Sequence, residues 1–424
     1  MNTQKLTNII ISQRKTMDTF FKENQIIDRE ILKINPEKYL EYPNILAITG
    51  IRRSGKSILG LFLLKEKKYG YINFFDERLA NFTSEDFEIL ISAFYEIYGN
   101  IDYFIFDEIQ RIKGWQLFVS RFRINKKIII TGSNSELLGS NLAKYLTGRY
   151  VELKLYPLSF REYLKIKNID YNNIENLGIL INELNNYMDS GGFPEVYKIG
   201  TIIINTIFHD IVENDIIYNK NIKNNNIREV ADYLVSNSGN EISINNIKNN
   251  FQIKDLHTLT KYINYIENSY LIIPIKKFSF KFKEQFKAKR KYFCVDTGLI
   301  NYASFKINPD KGKLMENIVL IELLRLSFLK NYELYYWKDY NDHEIDFIIK
   351  QKEKIIKMIN VTYASSFKEV KQREIISLNK GLKELKCDNM EIITWDFNDA
   401  IEKNGYKIKY TSLLNFLLKD DIIE

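Results

Sequence analysis

Gly50-Ile-Arg-Arg-Ser-Gly-Lys-Ser57 fits the pattern Gly-x-x-x-x-Gly-Lys-[Ser/Thr], which wraps around phosphate groups in nucleotide-binding proteins. The apolar run 44–49 before it is typical of a buried parallel strand, and residues 58–65 after it have a helical pattern. A glycine-rich turn between a strand and a helix points backbone N–H groups at an anion. The stretch therefore predicts a phosphate-binding loop.

The loop also predicts which residues contact a nucleotide. The predicted nucleotide-binding set is the whole loop: Gly50, Ile51, Arg52, Arg53, Ser54, Gly55, Lys56 and Ser57. The amine of Lys56 would reach the β- and γ-phosphates of ATP, and the hydroxyl of Ser57 would hold Mg²⁺. ATP and Mg²⁺ are therefore the predicted cofactors.

Apolar strands alternate with helical stretches on both sides of this loop. The predicted strands are 44–49, 71–75, 102–107, 127–132 and 150–155. This alternation predicts an α/β fold in which helices cover both faces of a parallel sheet.

Two acidic residues end the strand predicted at 102–107. In a nucleotide site, Asp107 would bind Mg²⁺ through water, and Glu108 would orient or deprotonate the attacking water. An ordinary strand end with two acids is the alternative. The position downstream of a phosphate-binding loop favours the catalytic interpretation.

Two more polar features follow along the chain. The strand that ends near Thr131 places Ser133 and Asn134 at the carboxyl edge of the sheet, where either could hydrogen-bond the γ-phosphate or the water. Arg149 precedes the next strand and is either a surface ion-pair residue or an arginine finger that acts across a subunit boundary. The second interpretation implies a homo-oligomer.

Composition constrains the class of protein. A chain of 424 residues predicts about three domains at ~150 residues each. Its two cysteines, Cys294 and Cys387, provide no disulfide framework. Because no signal peptide and no apolar run of ~18 residues is present, we expect a cytoplasmic protein without a membrane span. The net charge of +7 permits nucleic-acid contact without arguing for it.

The second half of the chain has two distinct patterns. Residues 227–295 combine short helices with a period-two stretch and a strand, which is typical of a winged helix; the elements are 227–236, 244–250, 258–269, 277–283 and 291–295. Residues 312–424 predict another α/β unit, with a helix at 313–330 and strands at 333–337, 344–349, 354–361 and 390–395.

The period-two stretch is strongly basic. From Lys276 to Lys291 there are eight basic residues and one acid, Glu284. In a strand, one face would carry Phe278, Phe280 and Phe282, and the opposite face Lys277, Lys281 and Lys283. Two alternatives remain open: the lysines contact DNA phosphates, or the phenylalanines pack on the end domain and the lysines serve solubility.

Together these motifs resemble the prokaryotic AAA-type ATPases that carry a C-terminal restriction-endonuclease-like domain of unknown function. The motifs that carry the resemblance follow in the family's order: Gly50–Ser57, Tyr71–Glu77, Phe104–Gln110, Thr131–Asn134, Thr147–Arg149, Leu155–Phe160, Gly191–Glu195 and Val295–Leu299. The strings Pro-Leu-Ser-Phe and Gly-Gly-Phe-Pro-Glu are the most specific of these. The resemblance covers most of the chain and implies ATP hydrolysis, a winged helix and a nuclease-like end domain.

The end domain departs from the pattern that an active nuclease of this kind needs. Glu316 on the first helix and Asp346 on a strand match the expected acids, which hold Mg²⁺. The following acid-x-Lys pair is replaced by Asn360-Val-Thr362, and Lys357 lies too early in its strand to replace the lysine simply. We therefore expect an inactive end domain.

These observations divide the chain into five predicted parts: a helical segment (1–40), a P-loop ATPase core (41–160), a helical lid or linker (161–225), a winged helix (226–295) and a restriction-endonuclease-like domain (296–424). The leading interpretation is an ATPase that couples nucleotide state to the last two parts, with DNA or an unknown protein as partner. The alternatives are a nucleotide-gated switch with little turnover and an ATP-dependent DNA nuclease.

Overall fold

The computed structural model describes residues 1–41, 44–138, 145–218, 220, 222, 226–302, 310–403 and 406–419. The described chain forms two compact units. The first comprises residues 1–156 with 268–270, and the second comprises residues 157–267 with 271–424. Among the described residues, no helix is both long and apolar enough to cross a membrane.

The first unit is built on a parallel sheet. Its strands lie in the order β2-β3-β4-β1-β5, and every neighbouring pair is parallel. The strand bounds are β1 Ile45–Thr49, β2 Tyr69–Asn73, β3 Tyr103–Asp107, β4 Lys127–Gly132 and β5 Tyr150–Lys154. The five strands predicted from the apolar runs are therefore confirmed, because such runs suit strands that are buried on both faces.

Helices cover both faces of this sheet. The described α-helices of the first unit are α1 Thr3–Glu23, α2 Lys56–Leu63, α3 Phe87–Tyr98 and α4 Trp115–Phe122. Alternate residues of β1 face opposite cores: Ala47 packs with α1, α3 and α4, whereas Ile48 packs with α2 and residues 31–40. This two-sided packing matches the predicted α/β fold and fixes the carboxyl ends of β1, β3 and β4 at one edge.

The second unit contains a mixed sheet of nine described strands in the order β13-β14-β12-β11-β10-β9-β7-β8-β6. The strand bounds are β6 Asn240–Ile242, β7 Ile272–Lys277, β8 Arg290–Cys294, β9 Glu333–Lys338, β10 Glu344–Gln351, β11 Lys354–Val361, β12 Met390–Thr394, β13 Asp399–Lys403 and β14 Tyr406–Ser412. The strands predicted at 333–337, 344–349, 354–361 and 390–395 are confirmed within a few residues.

The described part of the second unit also contains α-helices. Their bounds are α5 Phe160–Ile166, α6 Leu177–Ser190, α7 Val196–Ile199, α8 Ile203–Asp210, α9 Asn226–Ser236, α10 Ile244–Asn250, α11 Leu256–Asn268, α12 Phe282–Lys287, α13 Thr297–Tyr302, α14 Lys311–Lys330, α15 Gln372–Leu385 and α16 Leu413–Leu418. A π-helix, Ile211–Tyr218, follows α8 directly. Helices α9, α10, α11 and α14 match predicted helices.

Two of the motifs that carry the family resemblance, Gly191–Glu195 and Val295–Leu299, meet at Asp296. Its carboxylate accepts hydrogen bonds from the backbone N–H of Gly192 at 2.6 Å and of Gly298 at 2.9 Å. A Cβ at Gly191, where φ is +75°, would lie 1.8 Å from the carboxylate. The Gly191–Glu195 turn therefore needs glycine because the buried acid fills the space beside it.

The stretch 277–283 is not the strand that its period-two pattern predicts. Strand β7 ends at Lys277, and α12 begins at Phe282. Phe278 is buried as expected, but Phe280 and Phe282 are largely exposed. The last pairs of β7 join Lys276 and Lys277 to β9. Beyond them, no described strand pairs with residues 279–283, and alternating side chains do not form a strand without such a partner.

Candidate nucleotide-binding site

The loop between β1 and α2 depends on two glycines. Gly50 has a φ of +139°, and a Cβ there would lie 2.1 Å from the backbone oxygen of Leu155. Gly55 has a φ of +94° and directly precedes α2. Residues with side chains rarely adopt such angles, so the two glycines are what allows the loop to curl at the N-terminus of the helix.

Buried Arg29 braces this loop, a role that sequence patterns did not reveal. Its guanidinium donates to the backbone oxygen of Ser54 at 2.9 Å and to that of Tyr156 at 2.8 Å. The planar fork of arginine suits two simultaneous acceptors. Because the partners lie 25 and 127 residues away in sequence, no local pattern could have identified the contact.

Lys56 lies buried at the centre of the loop. Its ammonium donates to the backbone oxygen of Ile51 at 2.9 Å, and the Ser54 hydroxyl donates to the same oxygen at 2.8 Å. The ammonium is thus held inside the curve of the loop, where a phosphate group would sit. This is the position expected of the predicted phosphate-binding lysine.

Asp107 links the loop to the end of β3. The Ser57 hydroxyl donates to Oδ1 of Asp107 at 2.9 Å, and the hydroxyl of Tyr71 donates to Oδ2 at 3.0 Å. The hydroxyl of Thr131, at the end of β4, also donates to Oδ1. Complete burial, together with the charge of Glu108, raises the pKa of Asp107. The group is therefore a buried carboxylate that a cation would stabilise in its charged form.

Glu108 is held beside this cluster in an unusual backbone conformation. Its φ is +53°, which non-glycine residues adopt infrequently. The side chain accepts hydrogen bonds from Gln110 at 2.6 Å and from Ser133 at 3.2 Å, and its backbone N–H donates to Thr131 at 3.1 Å. The predicted base is thus oriented by the two neighbouring strand ends, β3 and β4.

The polar residues after β4 lie at the same edge. Ser133 contacts Glu108 directly, and Asn134 is buried next to it in sequence. The structure therefore brings Ser133 to the predicted base, and the hydrogen bond from Ser133 connects Glu108 to the end of β4. Asn134 stays a prediction for contact with the γ-phosphate.

Arg149 lies at the amino-terminal ends of the strands, whereas the loop lies at their carboxyl ends. Arg149 directly precedes β5, whose first residue Tyr150 pairs with Ile45 at the start of β1. The loop begins only after Thr49, so the length of a five-residue strand, roughly 16 Å, separates the two. The exposed Arg149 side chain therefore cannot reach the loop of its own chain. If Arg149 is an arginine finger, it must act on the loop of a neighbouring subunit.

Arg52, within the loop, and Arg111, after β3, both contact the ring of Phe75. The guanidinium of Arg52 lies 4.9 Å from the ring centroid, and that of Arg111 lies 4.0 Å from it. Arg111 ends the short 3-10 helix Ile109–Arg111 that follows the acidic pair, and it was not a predicted site residue. These contacts fix two cationic groups beside the ends of β1 and β3.

The donor set around the loop fits a magnesium nucleotide. Mg²⁺ prefers oxygen ligands and usually takes one or two from the protein and the rest from phosphates and water. The Ser57 hydroxyl and the Asp107 carboxylate provide such oxygens 2.9 Å apart at the start of α2. Lys56 and the loop N–H groups would supply the positive environment for phosphates.

A separate group of charges lies in the second unit around Lys291, which is buried. Its ammonium contacts carboxylate oxygens of Glu344 at 2.5 Å, Glu316 at 2.9 Å and Asp346 at 3.5 Å. These residues line a cavity of about 640 Å³. Burial, with the charge of Glu316, raises the pKa of Asp346 to about 7 although Lys291 opposes it. Burial would raise the pKa of Glu316 too, but Lys291 and Lys313 hold it below its usual value.

The residues that replace the acid-x-Lys pair are structural neighbours of this group. Asn360 accepts from the backbone N–H of Asp346 at 3.2 Å and donates to Glu374 at 2.8 Å. Lys357 instead pairs with Glu391 at 2.9 Å, and Thr362 lines the cavity. Among the described residues, no three His, Cys, Asp or Glu side chains are arranged to hold a metal ion. Instead, the Lys291 ammonium lies between the carboxylates of Glu316 and Asp346.

Family models match most of the chain in three consecutive segments. A model described as an AAA domain matches residues 42–164. Models described as domains of unknown function, DUF8612 and DUF4143, match residues 181–311 and 311–412. The first match agrees with the sheet and the loop that the structure shows, and it establishes the P-loop ATPase type of the first unit.

Similar proteins exist in an archaeon and a bacterium. An uncharacterized protein, MJ1544, of Methanocaldococcus jannaschii is 34% identical over 403 residues, which is 89% of this chain and 86% of that protein. An uncharacterized protein of Haemophilus influenzae is 32% identical and spans 86% of this chain and 92% of its own length. The similarity spans most of each chain, and the names of these relatives assign no activity.

Solved structures show more distant similarity. The Walker-type ATPase PABY2304 of Pyrococcus abyssi has a TM-score of 0.42 and 18% identity, covering 65% of this chain and 95% of its own. AMPPCP-bound DnaA from Aquifex aeolicus has a TM-score of 0.27 and 17% identity, covering 58% and 90%. Similarity this distant assigns no function to the chain.

Proposed function

We propose that this chain, which belongs to the same family as the uncharacterized protein MJ1544 of Methanocaldococcus jannaschii, is a Mg²⁺-dependent ATPase. The observation that carries the proposal is the hydrogen-bonded link from the phosphate-binding loop to the acidic end of β3. Ser57 contacts Asp107, and Glu108 follows it, held by Gln110 and Ser133. A loop that only bound phosphate would not need an oriented second acid.

Each residue of the link has a separate task. Lys56 binds the β- and γ-phosphates, and Ser57 with Asp107 holds the cation. Bound Mg²⁺ supplies positive charge that neutralises the phosphates. Glu108 orients the attacking water and accepts its proton, while Gln110 and Ser133 keep the carboxylate in place.

The proposal extends to the second unit as the part that responds to nucleotide state. Helices α9, α10 and α11 with strands β6, β7 and β8 have the order helix, strand, helix, helix, strand, strand. The three strands form an antiparallel set in the order β7-β8-β6. This order supports a winged helix over residues 226–295, and DNA is the proposed partner because of the basic residues between β7 and β8.

The last part of the chain is proposed to be a nuclease-like domain without nuclease activity. Helix α14 supplies Glu316, and β10 supplies Asp346, as the resemblance implies. Asn360 and Thr362 stand in place of the acid and the lysine of the pattern, and the Lys291 ammonium lies between the two acids. This arrangement supports a scaffold or binding role for the end domain.

For Arg149, we propose that the protein assembles with itself into a ring or a dimer.

The direct test of nucleotide binding is a titration of wild type and Lys56→Ala with a fluorescent ATP analogue in the presence of Mg²⁺. We expect saturable binding by wild type and loss of binding in the variant, because the buried ammonium faces the phosphates. Lys68→Ala, an exposed lysine of the same unit, is the matched control and should bind normally. Equal binding by Lys56→Ala and wild type would exclude the loop as the nucleotide site.

A further inference from the structure

Three phenylalanines in the connection between β7 and β8 expose most of their side chains. Phe280 is 73% exposed, Phe282 78% and Phe286 80%. Phe282 and Phe286 lie one turn apart on the short helix α12, with ring centroids 6.4 Å apart and an angle of 24° between the ring planes. Exposed aromatic surface is unfavourable in water, so such a cluster calls for a partner.

The same segment is fixed to the second unit at its base. Phe278 is buried in the core beneath α15, and its backbone N–H donates to the oxygen of Tyr336 at 2.7 Å. The ring of Phe278 contacts that of Phe280 edge to face, with centroids 5.1 Å apart, and that of Tyr335 at 5.7 Å. The exposed rings therefore extend from an anchored strand end.

Positive charge surrounds the exposed rings. Lys281, Lys283, Lys287 and Lys289 are exposed within the segment, and its one acid, Glu284, pairs with Lys281 at 3.1 Å. The sequence count of eight basic residues included Lys291, but that lysine is buried among carboxylates. The exposed face thus combines aromatic rings with a net positive charge.

We propose that residues 278–289 bind single-stranded nucleic acid, with bases stacked on Phe280, Phe282 and Phe286 and phosphates beside the lysines. Single strands offer base faces to aromatic side chains and phosphates to basic ones. In a duplex the base faces are covered by their neighbours, so exposed rings would gain nothing there. The inference rests on the nucleic-acid partner proposed above, but it does not depend on ATP hydrolysis.

An anionic membrane surface is a poorer fit to the same segment. Helices that lie on membranes bind in proportion to the apolar area that they bury, and a very short helix buries little. Helix α12 has six residues. The charge and the rings therefore favour a partner that uses stacking, and the membrane becomes an outcome of the test.

The test measures binding without nucleotide by fluorescence anisotropy, with a labelled oligothymidylate, a duplex of equal length and anionic phospholipid vesicles as probes. We expect oligothymidylate to bind most tightly and affinity to fall with salt. Phe282→Ala/Phe286→Ala should weaken it about tenfold or more. Lys283→Glu/Lys287→Glu should weaken it and reduce the salt dependence.

Matched controls separate these effects from general changes of surface. Ile202→Ala removes another exposed apolar side chain of the second unit, and Lys65→Glu/Lys68→Glu makes an equal charge change in the first unit. Neither should alter binding. Duplex binding that is indifferent to the phenylalanines would overturn the inference while leaving a DNA partner in place. Binding to vesicles alone, or to no probe, would overturn both.

Discussion

The hydroxyl of Ser57, in the first turn of α2, donates a 2.9 Å hydrogen bond to the carboxylate of Asp107 at the end of β3. The two residues are 50 positions apart in sequence, and the parallel sheet places both at its carboxyl edge. A phosphate-binding loop and an acidic strand end thus form one site.

Arg149 should act on the loop of a neighbouring subunit, because it lies at the amino-terminal end of β5, about one strand length from the loop of its own chain. Neither Arg149→Ala nor Lys56→Ala should hydrolyse ATP alone, but a mixture should recover part of the wild-type rate at shared sites. Phosphate release by the mixture, at rising protein concentration, measures this. A rate per subunit that is independent of concentration, with no recovery on mixing, would favour a self-contained monomer.

The end domain should not cut DNA. Asn360 and Thr362 lack the acid and the amine of the nuclease pattern, and Lys291 already pairs with Glu316 and Asp346. Supercoiled plasmid and linear DNA incubated with Mg²⁺ or Mn²⁺ should remain intact on gels. Cleavage that disappears in Asp346→Ala would show that the domain is an active nuclease.

Lys291→Met should destabilise the second unit strongly. Three carboxylates that now share one buried ammonium would face each other without it, and loss of one partner from a buried ion group costs about 3–5 kcal/mol. Chemical denaturation measures the loss, with the exposed Lys281→Met as the control. The deficit should shrink as pH falls, because protonation removes the repulsion. A loss as small as that of the control would contradict this account.

The buried Asp296 should make stability depend on pH. Burial raises the pKa of this carboxyl to about 6, above the value of about 3.9 in an unfolded chain. The folded state therefore binds a proton more tightly, and this contribution is present at low pH and is lost as pH rises through 6. Between pH 5 and pH 7.5 the free energy of unfolding of wild type, relative to Asp296→Asn, should fall by about 1 kcal/mol.

Denaturation of both proteins at the two pH values tests this prediction. The Asn variant is expected to be less stable at both, because its amide cannot accept both backbone N–H bonds from Gly192 and Gly298. The pH dependence of the difference is the diagnostic quantity. A difference that is constant with pH would show that Asp296 does not titrate in this range.

The strands and the loop of the first unit were predicted well because each depends on residues that are neighbours in sequence. The apolar runs of β1 and β3 and the glycines of the loop each carry their structural reason within a few residues. Contacts between distant positions were out of reach of such patterns. Arg29 braces Ser54, and Lys291 sits between Glu316 and Asp346, only because the tertiary fold brings them together.

The pattern failed where tertiary context overrode it. Phe278, Phe280 and Phe282 alternate with polar residues as a half-buried strand would, yet only Phe278 finds a core to enter. Alternation reports a preference for two faces, but a strand also needs hydrogen-bonding neighbours. The two phenylalanines left exposed became the basis of the single-strand inference.

Glu108→Gln separates ATP binding from ATP hydrolysis, for which Glu108 is the proposed base. We expect the variant to bind ATP as wild type does but to release phosphate at least about a hundredfold more slowly, because only water activation is removed. Glu66→Gln, an exposed acid of the same unit, should keep the wild-type rate. Steady-state phosphate release by Glu108→Gln at the wild-type rate would show that Glu108 is not the catalytic base.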